Sequence, residues 1–81
     1  MTTLNTLRCH EEATVVRIDT NEILKRRLMD MGVTKGVRVR VRRFAPLGDP
    51  MLIDIMGYAL SIRKSDAKYI VVEKTGEETK K

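Results

Sequence analysis

The alternating segment after Gly36 constrains the fold of this 81-residue chain more than any other feature. Valine and arginine alternate there, with Val37, Val39 and Val41 interleaved with Arg38, Arg40 and Arg42. Successive side chains of an extended strand point to opposite faces. The pattern therefore predicts a half-buried antiparallel strand, with valines facing a core and arginines facing solvent.

Other segments repeat this period of two. Residues 13–18, 51–56 and 58–63 alternate in the same way, and residues 70–72 form a short apolar run. In residues 13–18, Thr14, Val16 and Ile18 fall on one face, and Ala13, Val15 and Arg17 fall on the other. Gly57 permits a tight reversal between two of these segments. The sequence pattern therefore predicts five short strands.

One helix interrupts the strands. Asp19 and Asn21 are alternative N-caps, and apolar residues then recur at helical spacing until Gly32, which suits a left-handed C-terminal position. The apolar positions are Ile23, Leu24, Leu28 and Met31. Residues 65–67 predict one further helical turn.

Five strands with close turns and one inserted helix predict a mainly β fold, a small SH3-like barrel. We expect the sheet to close on itself and so to remove exposed edges. The predicted domain spans residues 1–73. Residues 74–81 have no apolar anchor and are predicted to be a disordered tail.

The composition narrows the classes of function. A net charge of +5 and a pI near 9.7 favour anionic partners. The longest apolar run, residues 69–72, is far too short to span a membrane. We see no secretion signal, and the single cysteine, Cys9, fits a reducing cytoplasm.

Neither catalysis nor metal binding is predicted. Four potential metal ligands are adjacent in sequence, namely Cys9, His10, Glu11 and Glu12. Neighbours on an extended chain point in opposite directions, and no second cluster completes a tetrahedral site. No phosphate-binding glycine loop or paired-carboxylate site is present. We expect a non-enzyme with no cofactor, no metal and no small-molecule substrate.

The basic strand has two interpretations. It carries four cations without an intervening acid, Arg38, Arg40, Arg42 and Arg43. They fit either the solvated face of an amphipathic strand or contact with nucleic acid. Phe44 is the only adjacent ring, so stacking on single-stranded bases is poorly supported.

The loop at residues 45–50 is predicted to be rigid. Pro46 and Pro50 each fix a backbone dihedral, and Gly48 supplies a permissive position. If Leu47 is exposed, such a loop loses little entropy when it binds a partner. The alternative is a rigid connection in which Leu47 packs onto the barrel, and the sequence leaves both open.

Taken together, these segments resemble the FeoA family of bacterial ferrous iron transport. The loop Ala45-Pro46-Leu47-Gly48-Asp49-Pro50 is similar to the family's Ala-Pro-Leu-Gly-Asp-Pro segment. The helix end at 27–36 resembles its Arg-Leu-x-x-Leu-Gly-Leu/Val-x-x-Gly pattern, and residues 57–72 resemble its later strands. Met31 and the His10-Glu11 pair depart from the pattern.

The resemblance implies an SH3-like barrel in the cytoplasm. It also implies an accessory role to FeoB, a membrane ferrous iron permease with a cytoplasmic GTP-binding domain, which would hold the chain at the inner membrane. The family is not expected to hold iron as a tight ligand. A similar barrel forms the C-terminal domain of iron-dependent repressors.

Our leading hypothesis is a protein-binding accessory that docks on the cytoplasmic domain of a FeoB-like permease. The predicted docking surface consists of Leu28, Met29, Met31, Pro46, Leu47, Gly48, Asp49 and Pro50. The four strand arginines would steer the chain toward an acidic partner face. The alternatives are a nucleic-acid-binding small barrel or a module of an iron-dependent regulator. Self-association through the same apolar surface is a third.

Overall fold

A computed structural model describes residues 2–74 of the chain. This range contains six strands, two α-helices and one 3₁₀ turn at Leu4–Thr6. In chain order the elements are β1 Thr2–Thr3, β2 Glu12–Ile18, α1 Glu22–Asp30, β3 Arg38–Phe44, β4 Met51–Ile55, β5 Tyr58–Ile62, α2 Lys64–Ala67 and β6 Ile70–Lys74.

The strands form one antiparallel sheet in the order β1-β6-β2-β3-β4-β5. The predicted mainly β, SH3-like architecture with one inserted helix is confirmed, and β1 adds a sixth strand that the sequence did not predict. The expected closure is wrong, because β1 and β5 are edges of the described sheet. The gap is bridged by other contacts: α2 packs on the 3₁₀ turn, and the Tyr58 hydroxyl donates a hydrogen bond to the Met31 carbonyl.

The C-terminal boundary lies slightly beyond the predicted one. β6 continues to Lys74, whose Nζ lies 3.1 Å from a Glu11 carboxylate oxygen. The predicted tail therefore loses its first residue to the sheet. The rest of that segment, residues 75–81, lies outside the described residues.

A bulge brings apolar residues from both predicted faces of β2 into the core. The pairing of β2 with β6 shifts register between Val15 and Arg17. Ala13 and Val15 are buried before the shift, and Ile18 is buried after it. Because one extra residue reverses the alternation, the strand contributes both of its apolar phases to the same core.

A second bulge ends the alternation of β3. Val39 and Val41 are buried as predicted, and the pairing with β4 then shifts between Val41 and Arg43. Arg42 and Arg43 are consequently both exposed. This shift is the structural reason that the regular Val-Arg pattern stops at this point.

The core is aliphatic. No polar or charged side chain is buried within residues 2–74. The fully buried large side chains are Leu4, Leu28, Met51, Ile53, Ile55, Ile70, Val15, Val33, Val39 and Val41. Burial of this kind gives about 25 cal/mol per Å² of apolar surface and is the main stabilising contribution in a small domain.

Both ends of α1 are capped. The Asn21 side-chain oxygen accepts a hydrogen bond from the Leu24 N–H at 2.9 Å, so Asn21 is the N-cap, and Asp19 instead pairs with Arg17. At the other end the Val33 N–H donates to the Leu28 carbonyl, and the Gly32 N–H donates to the Met29 carbonyl. These are the two bonds of a Schellman motif.

Candidate docking surface

The loop between β3 and β4 is held by its own backbone. The Gly48 N–H donates to the Ala45 carbonyl at 2.7 Å, and the Ala45 N–H donates to the Pro50 carbonyl at 3.0 Å. Gly48 has a φ of +92° and the Asp49–Pro50 peptide is cis. Two proline rings and two internal hydrogen bonds therefore restrict the six-residue segment.

Asp49 fixes the loop to the rest of the domain. One of its carboxylate oxygens accepts a hydrogen bond from the Lys64 N–H at 2.8 Å, at the first residue of α2. The Lys64 side chain lies over the Phe44 ring, with Nζ 4.8 Å from the ring centre. The two ends of the loop are thus tied to the start of α2, and the Asp49 carboxylate has a structural role there.

Leu47 lies at the tip of this loop with 98% of its surface exposed. The alternative in which Leu47 packs onto the barrel is therefore wrong. Burial of this side chain against a partner would contribute roughly 1.5–3 kcal/mol. Pro46, Asp49 and Pro50 are also exposed around it.

The helix end contributes less than the sequence predicts. Leu28 has no exposed surface and belongs to the core, so its place in the predicted docking surface is corrected. It occupies the inward face of α1, as its helical spacing from Leu24 requires. Met29 and Met31 are 46% and 36% exposed and remain accessible to a partner.

The structure does not bring the helix end and the loop together. Met31 accepts a hydrogen bond from Tyr58, which is the first residue of β5. The loop instead leads into Met51, which pairs with Ile62, the last residue of β5. The two sites thus lie at opposite ends of the β4–β5 hairpin, separated by about 14 Å of strand. The predicted docking surface is therefore divided into two separate surfaces, one at the helix end and one at the loop.

The arginine side chains of β3 share their face with acids. Arg42 donates to Asp54 on β4, and this hydrogen bond raises the pKa of the Arg42 guanidinium. Arg40 is paired in register with Glu12 on β2 and with Asp54 on β4. Arg38, Arg40 and Arg43 are exposed. Interleaved acids weaken the attraction of this face for a phosphate backbone.

The four adjacent potential ligands lie in a turn at Cys9 and His10 and at the start of β2, which begins at Glu12. The Glu11 N–H donates to the Arg8 carbonyl, His10 adopts a φ of +74°, and the Cys9 thiol donates to the Arg42 carbonyl at 3.2 Å. Glu11 accepts from the Arg8 N–H at 2.7 Å and pairs with Lys74, and these two contacts lower the pKa of its carboxyl group. Within residues 2–74 no group of three or more His, Cys, Asp or Glu side chains is placed to hold a metal ion.

Sequence reasoning missed other exposed apolar side chains. Ile23 is 77% exposed at the start of α1, and Met56 is 68% exposed in the β4–β5 turn. Met56 and Gly57 both have positive φ, as a type I′ turn requires. Only Met56 and Gly57 separate Ile55 from Tyr58, and this short interval with its glycine carried the signal for a two-residue turn. No helix in the described range is long and apolar enough to cross a bilayer.

Comparison with known proteins agrees with this architecture. A family model described as the FeoA domain matches residues 2–74, which is nearly the whole chain. The chain belongs to the FeoA family. The family and the SH3-like fold that the resemblance in sequence predicted are thus confirmed.

A curated relative of this FeoA-family chain is a fusion protein. It is the Fe(2+) transport protein A/Fe(2+) transporter FeoB fusion protein of Porphyromonas gingivalis, 36% identical over 70 residues. The match covers 86% of this chain and 8% of the relative, so the chain spans less than a tenth of that protein.

Solved structures share the fold. A FeoA-like protein from Clostridium acetobutylicum is 37% identical, with a TM-score of 0.84 and coverage of 93% of this chain and 91% of that one. FeoA of Stenotrophomonas maltophilia, solved with zinc and described as an SH3 domain protein, is 32% identical, with a TM-score of 0.78 and coverage of 90% and 91%. A manganese-dependent transcriptional repressor superposes with a TM-score of 0.83 over 90% of this chain and 36% of that one, but at 21% identity the likeness shows the fold alone.

Proposed function

We propose that this FeoA-family chain is a small cytoplasmic accessory protein of ferrous iron uptake. It binds the cytoplasmic part of a FeoB-type permease through the loop at residues 45–50 and catalyses no reaction itself. The P. gingivalis relative supports an association with a FeoB-type permease, because its name joins Fe(2+) transport protein A and the transporter FeoB in one fusion protein. The single observation that carries the proposal is Leu47, 98% exposed at the tip of a restrained loop.

The loop geometry favours binding. Association normally costs the entropy of ordering flexible segments at the interface. Here two prolines, two internal hydrogen bonds and the Asp49–Lys64 contact have already ordered the segment. Most of the free energy from burying Leu47 in a partner pocket is then retained as affinity.

The exposed arginines of β3 favour approach to an acidic partner surface. Arg43 is exposed on β3, immediately before Phe44 and the loop, and Arg38 and Arg40 extend the basic face along the strand. With a net charge of +5, the chain would be drawn toward an acidic partner surface. Because Arg42 is bound to Asp54, we assign the steering chiefly to the other three arginines. The helix end, at the far end of the hairpin, is left outside the primary contact.

The test is a charge placed at the loop tip. Leu47→Asp is expected to lower affinity for the purified cytoplasmic domain of the FeoB-type permease at least tenfold, since a carboxylate cannot enter an apolar pocket without a large desolvation cost. Ile23→Asp is a matched control, because Ile23 is 77% exposed at a site outside the loop. Binding is measured by calorimetry, and folding of both variants by circular dichroism and thermal unfolding.

Both variants are expected to keep the wild-type unfolding temperature, because neither side chain is buried. Loss of binding in Leu47→Asp with retention in Ile23→Asp supports the proposal. Equal binding by wild type and Leu47→Asp, with both folded, rejects the loop as the contact. Absence of any binding by the wild type rejects the partner.

A further inference from the structure

β5 leaves one edge of the sheet unpaired. Within the described residues it pairs with β4 and with no other strand, so its second edge faces outward. Its sequence, Tyr58-Ala59-Leu60-Ser61-Ile62, contains no charge and no proline. Natural edge strands usually carry such residues, or a bulge, to prevent pairing with another chain.

The hairpin geometry identifies the outward groups. Ile55 and Tyr58 flank a two-residue turn, so they form a hydrogen-bonded pair. Hydrogen-bonded and non-hydrogen-bonded pairs alternate along an antiparallel ladder, so Leu60 also bonds to β4. The backbone N–H and C=O groups of Ala59 and Ser61 consequently point away from the sheet.

These two residues are accessible as well as unpaired. Ala59 and Ser61 are both exposed, and their side chains are small enough to let another backbone approach. Leu60 between them is half-buried against the core. The edge therefore presents two donors and two acceptors in the spacing of a β-ladder.

We propose that a second copy of this chain pairs with this edge, β5 against β5, antiparallel about a twofold axis at Leu60. Ala59 then lies opposite Ser61 of the second copy, and Ser61 lies opposite its Ala59. The arrangement makes four N–H···O=C bonds and satisfies the outward groups of both chains. A twofold contact of this kind is closed and produces a dimer.

The charges in this register favour a second copy over an unrelated strand. Tyr58 lies opposite Ile62, Gly57 opposite Arg63 and Met56 opposite Lys64, so no two like charges face each other along the edge. The big-small-big-small-big order of the strand reads the same in both directions. The edge is thus self-complementary although the whole chain carries +5 and repels its copy at long range.

The size of the contact sets its strength. Two five-residue strands bury less than the roughly 1,000 Å² of a stable interface. The dimer is therefore weak and reversible, with a dissociation constant on the order of 1 mM in moderate salt. Added salt strengthens it, because screening reduces the repulsion between two basic chains.

The experiment compares the full chain with two variants at one residue. Ser61→Pro removes the outward N–H and leaves the β4 ladder intact, whereas Ser61→Ala removes only the hydroxyl. Amide NMR spectra and sedimentation velocity are recorded from about 20 µM to about 1 mM protein, in low and moderate salt. Circular dichroism checks that each variant is folded.

The expected result is concentration-dependent shifts of the Ala59 and Ser61 amides in the wild type and in Ser61→Ala. These shifts, and the rise in mean mass, are expected to be at least fivefold smaller in Ser61→Pro. If Ser61→Pro does not fold, Ala59→Lys is used in its place. It puts one lysine of each copy in the dimer edge, and the amide shifts and the rise in mean mass are expected to fall by the same factor. Spectra that do not change over the whole concentration range overturn the proposal. Leu47→Asp is measured alongside these variants, and association that is lost in Leu47→Asp but kept in Ser61→Pro also overturns it, because the contact would then lie at the loop.

Discussion

Gly32 shows how much a single residue without a side chain can decide. Its φ of +103° ends α1 in a left-handed conformation, which L residues with a Cβ adopt at a cost. A Cβ on Gly32 would also lie 2.2 Å from the Tyr58 hydroxyl oxygen. The same position therefore allows the helix to end and leaves room for the hydroxyl that joins α1 to β5.

We expect Gly32→Ala to lower the free energy of unfolding by about 1–2 kcal/mol, chiefly from backbone strain, with a smaller part from displacement of the exposed Tyr58 side chain. Tyr58→Phe removes the overlapping oxygen and one hydrogen bond, at about 0.5–1.5 kcal/mol. The double variant should then cost less than the sum of the single variants by up to about 1 kcal/mol. Urea unfolding of the four proteins measures this coupling, and strict additivity would contradict the steric part.

Leucines illustrate what residue type alone can and cannot predict. Leu28 and Leu47 are both apolar and both belong to segments that match the family pattern. Leu28 is fully buried, and Leu47 is 98% exposed. Leu28 was predicted to lie in the docking surface, although its helical spacing from Leu24 fits the inward position that the structure shows. For Leu47, nothing in the loop sequence specified which way the side chain points, because that depends on the Asp49 contact with α2.

At the scale of elements, the N-terminus of α1 is set by one of two adjacent candidates. Asn21→Ala is expected to lower the free energy of unfolding by about 1 kcal/mol, because it removes the only side-chain cap acceptor seen there. Asp19→Ala is the matched control. It breaks an exposed ion pair with Arg17, worth less than about 0.5 kcal/mol, and leaves the backbone bond from Asp19 to Tyr69. Thermal unfolding separates the two, and equal losses would contradict the assignment.

Most elements could be predicted from local pattern. The period of two located β3, β4 and β5, and the helical spacing with its glycine located α1. β1 could not be predicted, since two threonines carry no periodicity and are extended only because they pair with Val71 and Val72. The bulges in β2 and β3 also depend on the partner strand, because only cross-strand pairing reveals a shifted register.

At the scale of the whole molecule, Glu11 joins the beginning of the fold to its end. Its carboxylate accepts the Arg8 N–H and pairs with Lys74 on the last strand. Both contacts stabilise the charged form and lower the pKa of Glu11 in the folded state below its ordinary value of 4.5. The contribution is therefore present above that value and is lost as the pH falls through the lowered one.

Glu11→Gln is expected to reduce the free energy of unfolding at neutral pH by up to about 1 kcal/mol, a modest effect because the carboxylate is partly exposed to solvent. The difference from wild type should shrink as the pH falls below about 4.5 and vanish in stronger acid, where the wild-type carboxyl group is protonated. Urea unfolding between neutral and acidic pH tests this. Lys74→Gln should show the same trend with a smaller amplitude, since the bond from Arg8 is the larger cause. A difference that stays constant with pH would contradict the argument.

The candidate site was only partly predictable. The loop, its prolines and the exposed arginines could be identified in the sequence, because each depends on residue type and short spacing. The separation of the loop from Met29 and Met31 could not, since it follows from which end of the β4–β5 hairpin each one meets. The same is true of Arg42, whose acid partner is 12 residues away in sequence and on the neighbouring strand.

The sequence by itself determined five of the six strands, the helix and its end at Gly32, because those features depend on side-chain period and on backbone conformations that few residues tolerate. The tertiary structure decided which leucine is exposed, where the strands shift register, and that the sheet stays open at β5. Those outcomes depend on contacts between residues far apart in the chain. Local spacing carries no information about such contacts until the sheet has assembled.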